Sequence, residues 1–204
     1  MKKPSFLEMV KLGFILSAFA ATACIILAFV YSGTAPVIKQ RQFEAMKASI
    51  QDLFPEADSF EEITGIYSPD STVTIINSYA ALRDGEIIGL AVQASRFSFE
   101  GQIVILVGVD TEERISGVRI LENPDTPGFG ANASSSNFFV DRVNRITFYG
   151  QFAGKSTRDP FEVRRDVAVI TASTITSRAI ASSVRAAGLA ANAWFVQQTE
   201  FRRD

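Results

Sequence analysis

Two short segments of this sequence carry residue types suited to holding a flat, phosphorylated ligand. The first is Asp125-Thr126-Pro127-Gly128-Phe129-Gly130. Pro127 fixes φ and removes a backbone donor, while Gly128 and Gly130 permit positive φ and close backbone approach. Such a loop lets a planar ligand lie against the main chain; it equally suits a tight connection between strand and helix. The second is Thr171-Ala172-Ser173-Thr174, followed by Ile175-Thr176-Ser177-Arg178. Five hydroxyls cluster there, where an apolar stretch gives way to a long helical pattern. Backbone N–H groups at a helix start, aided by the positive end of the dipole, form a natural phosphate site, and hydroxyls add donors. Ser and Thr also favour helix starts simply as caps.

Other chemistries are excluded by what the chain lacks. It contains no histidine, which removes a Ser-His-Asp triad, histidine ligation of metals and a histidine proton shuttle. Its single cysteine, Cys24, makes no intrachain disulfide, CxxC pair or Cys-ligated iron–sulfur cluster. Electron handling therefore requires an organic cofactor. There is no Walker lysine and no GxGxxG, so a nucleoside triphosphate or Rossmann site is unsupported. The formal net charge of −2 carries no nucleic-acid footprint. No catalytic residue and no metal ligand is expected.

The elements that must position the two segments follow from periodicity. No residue from Leu12 to Ile38 is charged. Residues 12–31, LGFILSAFAATACIILAFVY, would span roughly 30 Å as a helix, the thickness of a bilayer's apolar core. Gly33 and Pro36 are predicted to break the pattern. Lys2, Lys3 and Lys11 precede the run and favour a cytoplasmic N-terminus, although Lys39, Arg41 and Lys47 follow it. The run is longer than the apolar part of a cleaved signal, and Thr34-Ala35-Pro36 is a poor cleavage site. Apolar residues also continue past Cys24, against a lipoprotein signal at Ala21-Thr22-Ala23-Cys24. The expectation is a retained single-pass anchor in contact with membrane lipid. Residues 38–54 form a predicted amphipathic helix, with Phe43, Met46, Ile50 and Phe54 on one face and Pro55 stopping it.

Residues 58–70 are polar and turn-rich. Strand signals then fall at Thr72–Tyr79, Ile87–Gln93, Ile103–Val109 and Ile115–Leu121, with an Asp84-Gly85 turn between the first two. They predict an antiparallel meander of about four strands. Beyond the loop Glu122–Gly130, Ser134–Arg145 is predicted helical, Phe148–Thr157 a loop, and Val163–Ile170 a short strand. Thr174–Gln198 is predicted to be an Ala-rich helix, with Gly188 a candidate break. The expected fold class is α+β, an antiparallel sheet flanked by helices behind one membrane helix. The expected divisions are 1–11 for a cytoplasmic N-terminus, 12–31 for the membrane helix, 32–57 for a juxtamembrane linker and helix, and 58–204 for the soluble domain.

In this order behind a single anchor, the two segments resemble those of the G subunit of the Rnf electron-transport complex. They are similar also to those of the C subunit of the sodium-translocating NADH:quinone oxidoreductase. Both belong to an FMN-binding domain family whose flavin is attached through its phosphate to a threonine. The resemblance covers nearly the whole chain. Asp125–Gly130 stands where the family reads Glu-Thr-Pro-Gly-Leu-Gly, and Ile115–Glu122 before it is also family-like. Thr171–Thr174 stands where it reads Ser/Thr-Gly-Ala-Thr, and Ile175–Arg178 matches the Ile-Thr-Ser-Arg that commonly follows. The motif's glycine is Ala172, its alanine is Ser173, and the aspartate six residues before the threonine is replaced by Ala168, with Asp166 the nearest acid.

The resemblance implies FMN esterified to Thr174, with Thr126, Pro127, Gly128, Gly130, Thr171, Ala172, Ser173 and Thr176 as cofactor-binding positions. It implies an electron carrier in the cell inner membrane, its soluble domain on the periplasmic side. Its partners would be the other subunits of an Rnf complex coupling ferredoxin and NAD to ion transport, and a flavin transferase for maturation. The chain alone would then catalyse no turnover. The altered motif also fits a membrane-tethered assembly or binding module with a degenerate or non-covalent flavin pocket.

Overall fold

The computed structural model describes residues 6–201. Lys2 and Lys3 of the expected cytoplasmic N-terminus lie outside the described residues. The chain divides into two compact units, Met1–Met46 and Lys47–Asp204.

The first unit is helical. Helix α1 runs from Phe6 to Leu53 and continues through Gly33 and Pro36, where the sequence predicts a break. A proline deletes one bond of the ladder, and a helix in apolar surroundings keeps the rest because no water replaces them. Within α1, Val10–Ile38 is long and apolar enough to cross a membrane. Three of its hydroxyls bond to their own backbone. Thr22 donates to the Ala18 carbonyl at 2.8 Å, Ser32 to Phe29 at 2.9 Å and Thr34 to Val30 at 2.9 Å.

The second unit is built on an antiparallel sheet of five strands in sequence order. They are β1 Ser59–Ile63, β2 Thr74–Arg83, β3 Glu86–Phe97, β4 Gln102–Asp110 and β5 Ile115–Glu122. Strand β1 lies in the stretch predicted to be turns. It is an edge strand, SFEEI, whose exposed residues need no apolar character. Its pairing with β2 raises the strand count from four to five.

The two faces of the sheet are covered differently. On one face, Leu90 and Val92 of β3, Ile105 and Val107 of β4 and Ile115 of β5 are fully buried. Helix α2, Thr174–Phe201, joins the same core through Ile180, Val184, Ala187, Ala191 and Trp194, an alternation of four- and three-residue steps. Gly188 does not interrupt α2. A Cβ there would lie 3.2 Å from Thr157 Cβ, so the missing side chain admits the Thr157 loop. On the other face three glycines meet the end of α1. Gly108 pairs directly with Gly117, and a Cβ on Gly89 would lie 2.3 Å from Phe54 Cε1. Leu53 and Phe54 thus seat on bare backbone, and both are buried.

Two further predictions are corrected. Residues 134–145 form no α-helix: Ser134 ends a short 3-10 helix, Gly130–Ser134, and Phe139–Asp141 and Ile146–Thr147 form the hairpin β6–β7. Asp141 Oδ1 accepts from the backbone N–H of Val143 at 2.9 Å and Asn144 at 3.0 Å, a side-chain turn that competes with helix. Residues 163–170 hold only the isolated bridge Val163↔Val167. Phe161 (φ 50°) and Arg164 (φ 75°) are left-handed, and Asp166 accepts the N–H groups of Phe161 and Glu162, so the backbone curls rather than extends.

Phe54→Ala removes the ring that fills the glycine floor. It should destabilise the second unit by about 3–5 kcal/mol, read as a lowered urea midpoint of the detergent-solubilised chain. A shift below about 1 kcal/mol would mean that the ring on the glycine floor adds little to the core.

Candidate functional site

The start of α2 is fastened by Ser177. Its N–H and its hydroxyl both donate to the Ser173 carbonyl, at 3.0 and 2.9 Å, and its oxygen accepts from the Ile170 N–H at 3.1 Å. Just before the helix, Ala172 sits at φ 61°, a left-handed conformation that favours glycine. This is the position where the resembling motif has its glycine.

The loop after β5 is tied to this helix start by one carboxylate. Asp125 is only 4% exposed. Its Oδ2 accepts from the hydroxyls of Thr176 and Ser98, each at 2.5 Å, and its Oδ1 from the Glu100 N–H at 3.0 Å. Burial pushes Asp125 up, but the hydrogen bonds from Ser98, Thr176 and the backbone outweigh it and hold the carboxyl below its ordinary value. Gly130 permits the contact, since a Cβ would lie 2.5 Å from Thr176 Oγ1 and 2.6 Å from Asp125 Cβ. Gly128 turns the loop at φ 83°. Thr126 donates to the Glu100 carboxylate, closing the β3–β4 hairpin onto the loop.

These segments enclose a cleft of about 500 Å³, within the range of small-molecule and cofactor sites. Of the residues singled out in the sequence, Thr126, Gly130, Ala172, Ser173, Thr174 and Thr176 line it. Pro127, Gly128 and Thr171 stand outside its lining; the first two shape the loop, and Thr171 is exposed. Phe99, outside both segments, and Asp125, Phe129 and Ile175, inside them but not among the named binding positions, also line it. Phe99 is 72% exposed, Phe129 51% and Ile175 55%, an unusual density of bare apolar surface around one opening. The available signal was Phe99 itself, an aromatic residue in a hairpin turn of Ser, Glu and Gly.

The donor set fits FMN. Exposed rings and an isoleucine suit a flat aromatic system, and the N-terminus of a 28-residue helix suits a phosphate. The hydroxyl at the cap position, Ser173, has no hydrogen-bond partner, so capping does not consume it. Thr174, the first residue of the helix, lines the cleft and is half-buried.

The family model described as an FMN-binding domain matches residues 99–188, the stretch that carries the cleft. A second model, the RnfG N-terminal region, matches residues 1–53. The G subunit of the proton-translocating ferredoxin:NAD(+) oxidoreductase complex of Clostridium ljungdahlii is 30% identical, over 80% of this chain and 80% of that one. The G subunit of the Na(+)-translocating ferredoxin:NAD(+) oxidoreductase complex of Acetobacterium woodii is 28% identical, over 85% of this chain and 87% of that one. The crystal structure of Shewanella oneidensis NqrC aligns at a TM-score of 0.47 and 16% identity, over 72% of this chain and 73% of that one. The chain belongs to the RnfG family, the FMN-binding G subunits of ion-translocating oxidoreductase complexes of electron transport.

Asp125→Asn should cost about 1–3 kcal/mol at neutral pH by replacing a charged acceptor of several hydrogen bonds. The native carboxyl lies below its unfolded value, so its contribution is full above about pH 4 and is lost as pH falls through the depressed native value. The gap in melting temperature between wild type and variant should therefore be widest at pH 7 and close on acidification. A gap independent of pH would contradict the charge-based role.

Proposed function

We propose that this chain is the membrane-anchored electron carrier of an Rnf-type complex, holding FMN esterified to Thr174 and passing electrons between other subunits. The reading rests above all on the start of α2, where Thr174 opens a helix whose cap hydroxyl is unused, in the wall of a cleft rimmed by Phe99 and Phe129. The backbone N–H groups of the first turn and the helix dipole would hold the phosphate. Thr126, Gly130 and Ala172 would bring main chain close to the ligand, and Pro127 and Gly128 would keep the loop in that shape. Bound there, FMN would supply one- and two-electron chemistry; the chain contributes position and a fixed ionised carboxylate at Asp125.

The covalent link would keep the cofactor in place where no free FMN replaces it. That fits a domain of residues 58–204 on the periplasmic side of the inner membrane, behind a span at residues 12–31, a juxtamembrane segment at 32–57 and a cytoplasmic N-terminus at 1–11. Maturation would need a flavin transferase that accepts Ala172 and Ser173 in the recognition motif. The neighbouring subunits of the complex and the surrounding lipid are the proposed partners.

Protein co-expressed with a flavin transferase should fluoresce under ultraviolet light in a denaturing gel, and its intact mass should exceed the bare chain by one FMN minus water. Thr174→Ala should abolish both signals, while Thr171→Ala should retain them. Fluorescence that survives Thr174→Ala would overturn the assignment. A wild type that copurifies with flavin but loses it on denaturation would favour the non-covalent module instead.

For orientation, protease added to spheroplasts should digest the soluble domain. Digestion confined to inverted vesicles would reverse the proposed topology.

A further inference from the structure

The hydroxyls at the start of α2 are not equivalent. Thr176 is committed to Asp125 at 2.5 Å. Ser177 is committed to the Ser173 carbonyl and the Ile170 N–H. Thr171 lies outside the cleft lining. That leaves Ser173 and Thr174, both in the cleft wall, with hydroxyls bonded to none of the described residues. Thr174 is assigned above to the ester. Ser173 is the anomaly: it is 7% exposed, and its oxygen is shut away without a partner.

A buried hydroxyl without a partner carries a desolvation cost that folding does not recover. A serine at the cap position would ordinarily relieve it by accepting an N–H of the first turn. Here the turn is stapled by Ser177 instead, and the left-handed Ala172 immediately before Ser173 sets the backbone direction at that point. The unmet group therefore sits beside the helix-start N–H donors and next in sequence to Thr174. The N–H groups donate, and the Ser173 hydroxyl, which could accept, is left free to donate alongside them; an oxyanion is a ligand suited to such converging donors at a helix start.

We propose that Ser173 is the phosphate-selecting residue of this site, its hydroxyl donating to a non-bridging phosphate oxygen of FMN and holding the phosphate beside Thr174 before the ester forms. The inference rests on the FMN reading but not on the covalent bond. Ser173 acts as a positioning residue; no bond to it forms or breaks.

The test uses the full chain in detergent, with Thr174→Ala as background so that binding is reversible, and titrates FMN and riboflavin by flavin fluorescence. FMN should bind more tightly than riboflavin. Adding Ser173→Ala should weaken FMN about ten-fold or more, the range for a hydrogen bond to a charged group, and leave riboflavin within two-fold. Ser173→Thr, which keeps the hydroxyl, should preserve the preference for FMN. Without flavin, Ser173→Ala should melt at or above the parent, because an unpartnered hydroxyl contributes nothing to the native state.

Equal losses for FMN and riboflavin, no loss for either, or no binding of FMN by the Thr174→Ala chain would each overturn the proposal. So would a lowered melting temperature of flavin-free Ser173→Ala, which would reveal a structural partner. Failure of the covalent reading looks different: wild type stays unlabelled while the Ser173-dependent preference for FMN persists.

Discussion

One carboxylate holds the site together. Asp125 reaches the β3–β4 hairpin through Ser98 and Glu100 and the start of α2 through Thr176. These segments are far apart in sequence, and apolar packing alone would fix neither their spacing nor their facing. Because the carboxylate is nearly buried, each donor it loses leaves an unmet charge, so the arrangement is held as a unit. Gly130 is the steric counterpart, since any side chain there would strike both Asp125 and Thr176. Asp125, Gly130 and Thr176 all line the cleft, so this short contact forms part of its wall.

The sheet behind the site is rigid for a related reason. Strand β4 is buried on both faces, by α2 on one and by Leu53 and Phe54 on the other. The glycines opposite Phe54 let a helix end lie on the backbone of three strands. A central strand enclosed in this way gives the hairpin bearing Ser98 and Phe99 a fixed base. A ligand between hairpin and helix is then gripped by elements that share one core, which suits a carrier whose cofactor should not reorganise as charge is added or removed.

Much of this was legible in the sequence, and the gaps have physical causes. Periodicity revealed the apolar helix, the apolar strand β4 and the long terminal helix, because each is a sustained pattern read against a single environment. Strand β1 was hidden because an edge strand needs few apolar residues, and the β6–β7 hairpin because Asp141 and Asn144 direct a turn through side-chain bonds that a helical spacing count ignores. Pro36 and Gly188 were over-read as breaks: one missing bond is tolerated inside α1, and a bare Cα is what Thr157 requires inside α2. At the site, the loop and the hydroxyl cluster stood out by composition. Which hydroxyls are free and which are bonded could not be read there, since Thr176 and Ser173 differ only in what the fold brings to them. Asp125, visible as the first residue of its loop, gained its role only once Ser98 and Thr176 converged on it.

The central claim is that the Asp125–Thr176 contact shapes the cleft that carries the flavin. The most direct test is the flavin content per chain of purified wild type and Gly130→Ala, measured from the visible absorption of the protein after co-expression with a flavin transferase. Close to one flavin per wild-type chain is predicted, with a large loss in Gly130→Ala while far-ultraviolet circular dichroism remains unchanged. Equal flavin content in both proteins would contradict the claim, because the ligand would then be held somewhere the contact does not reach.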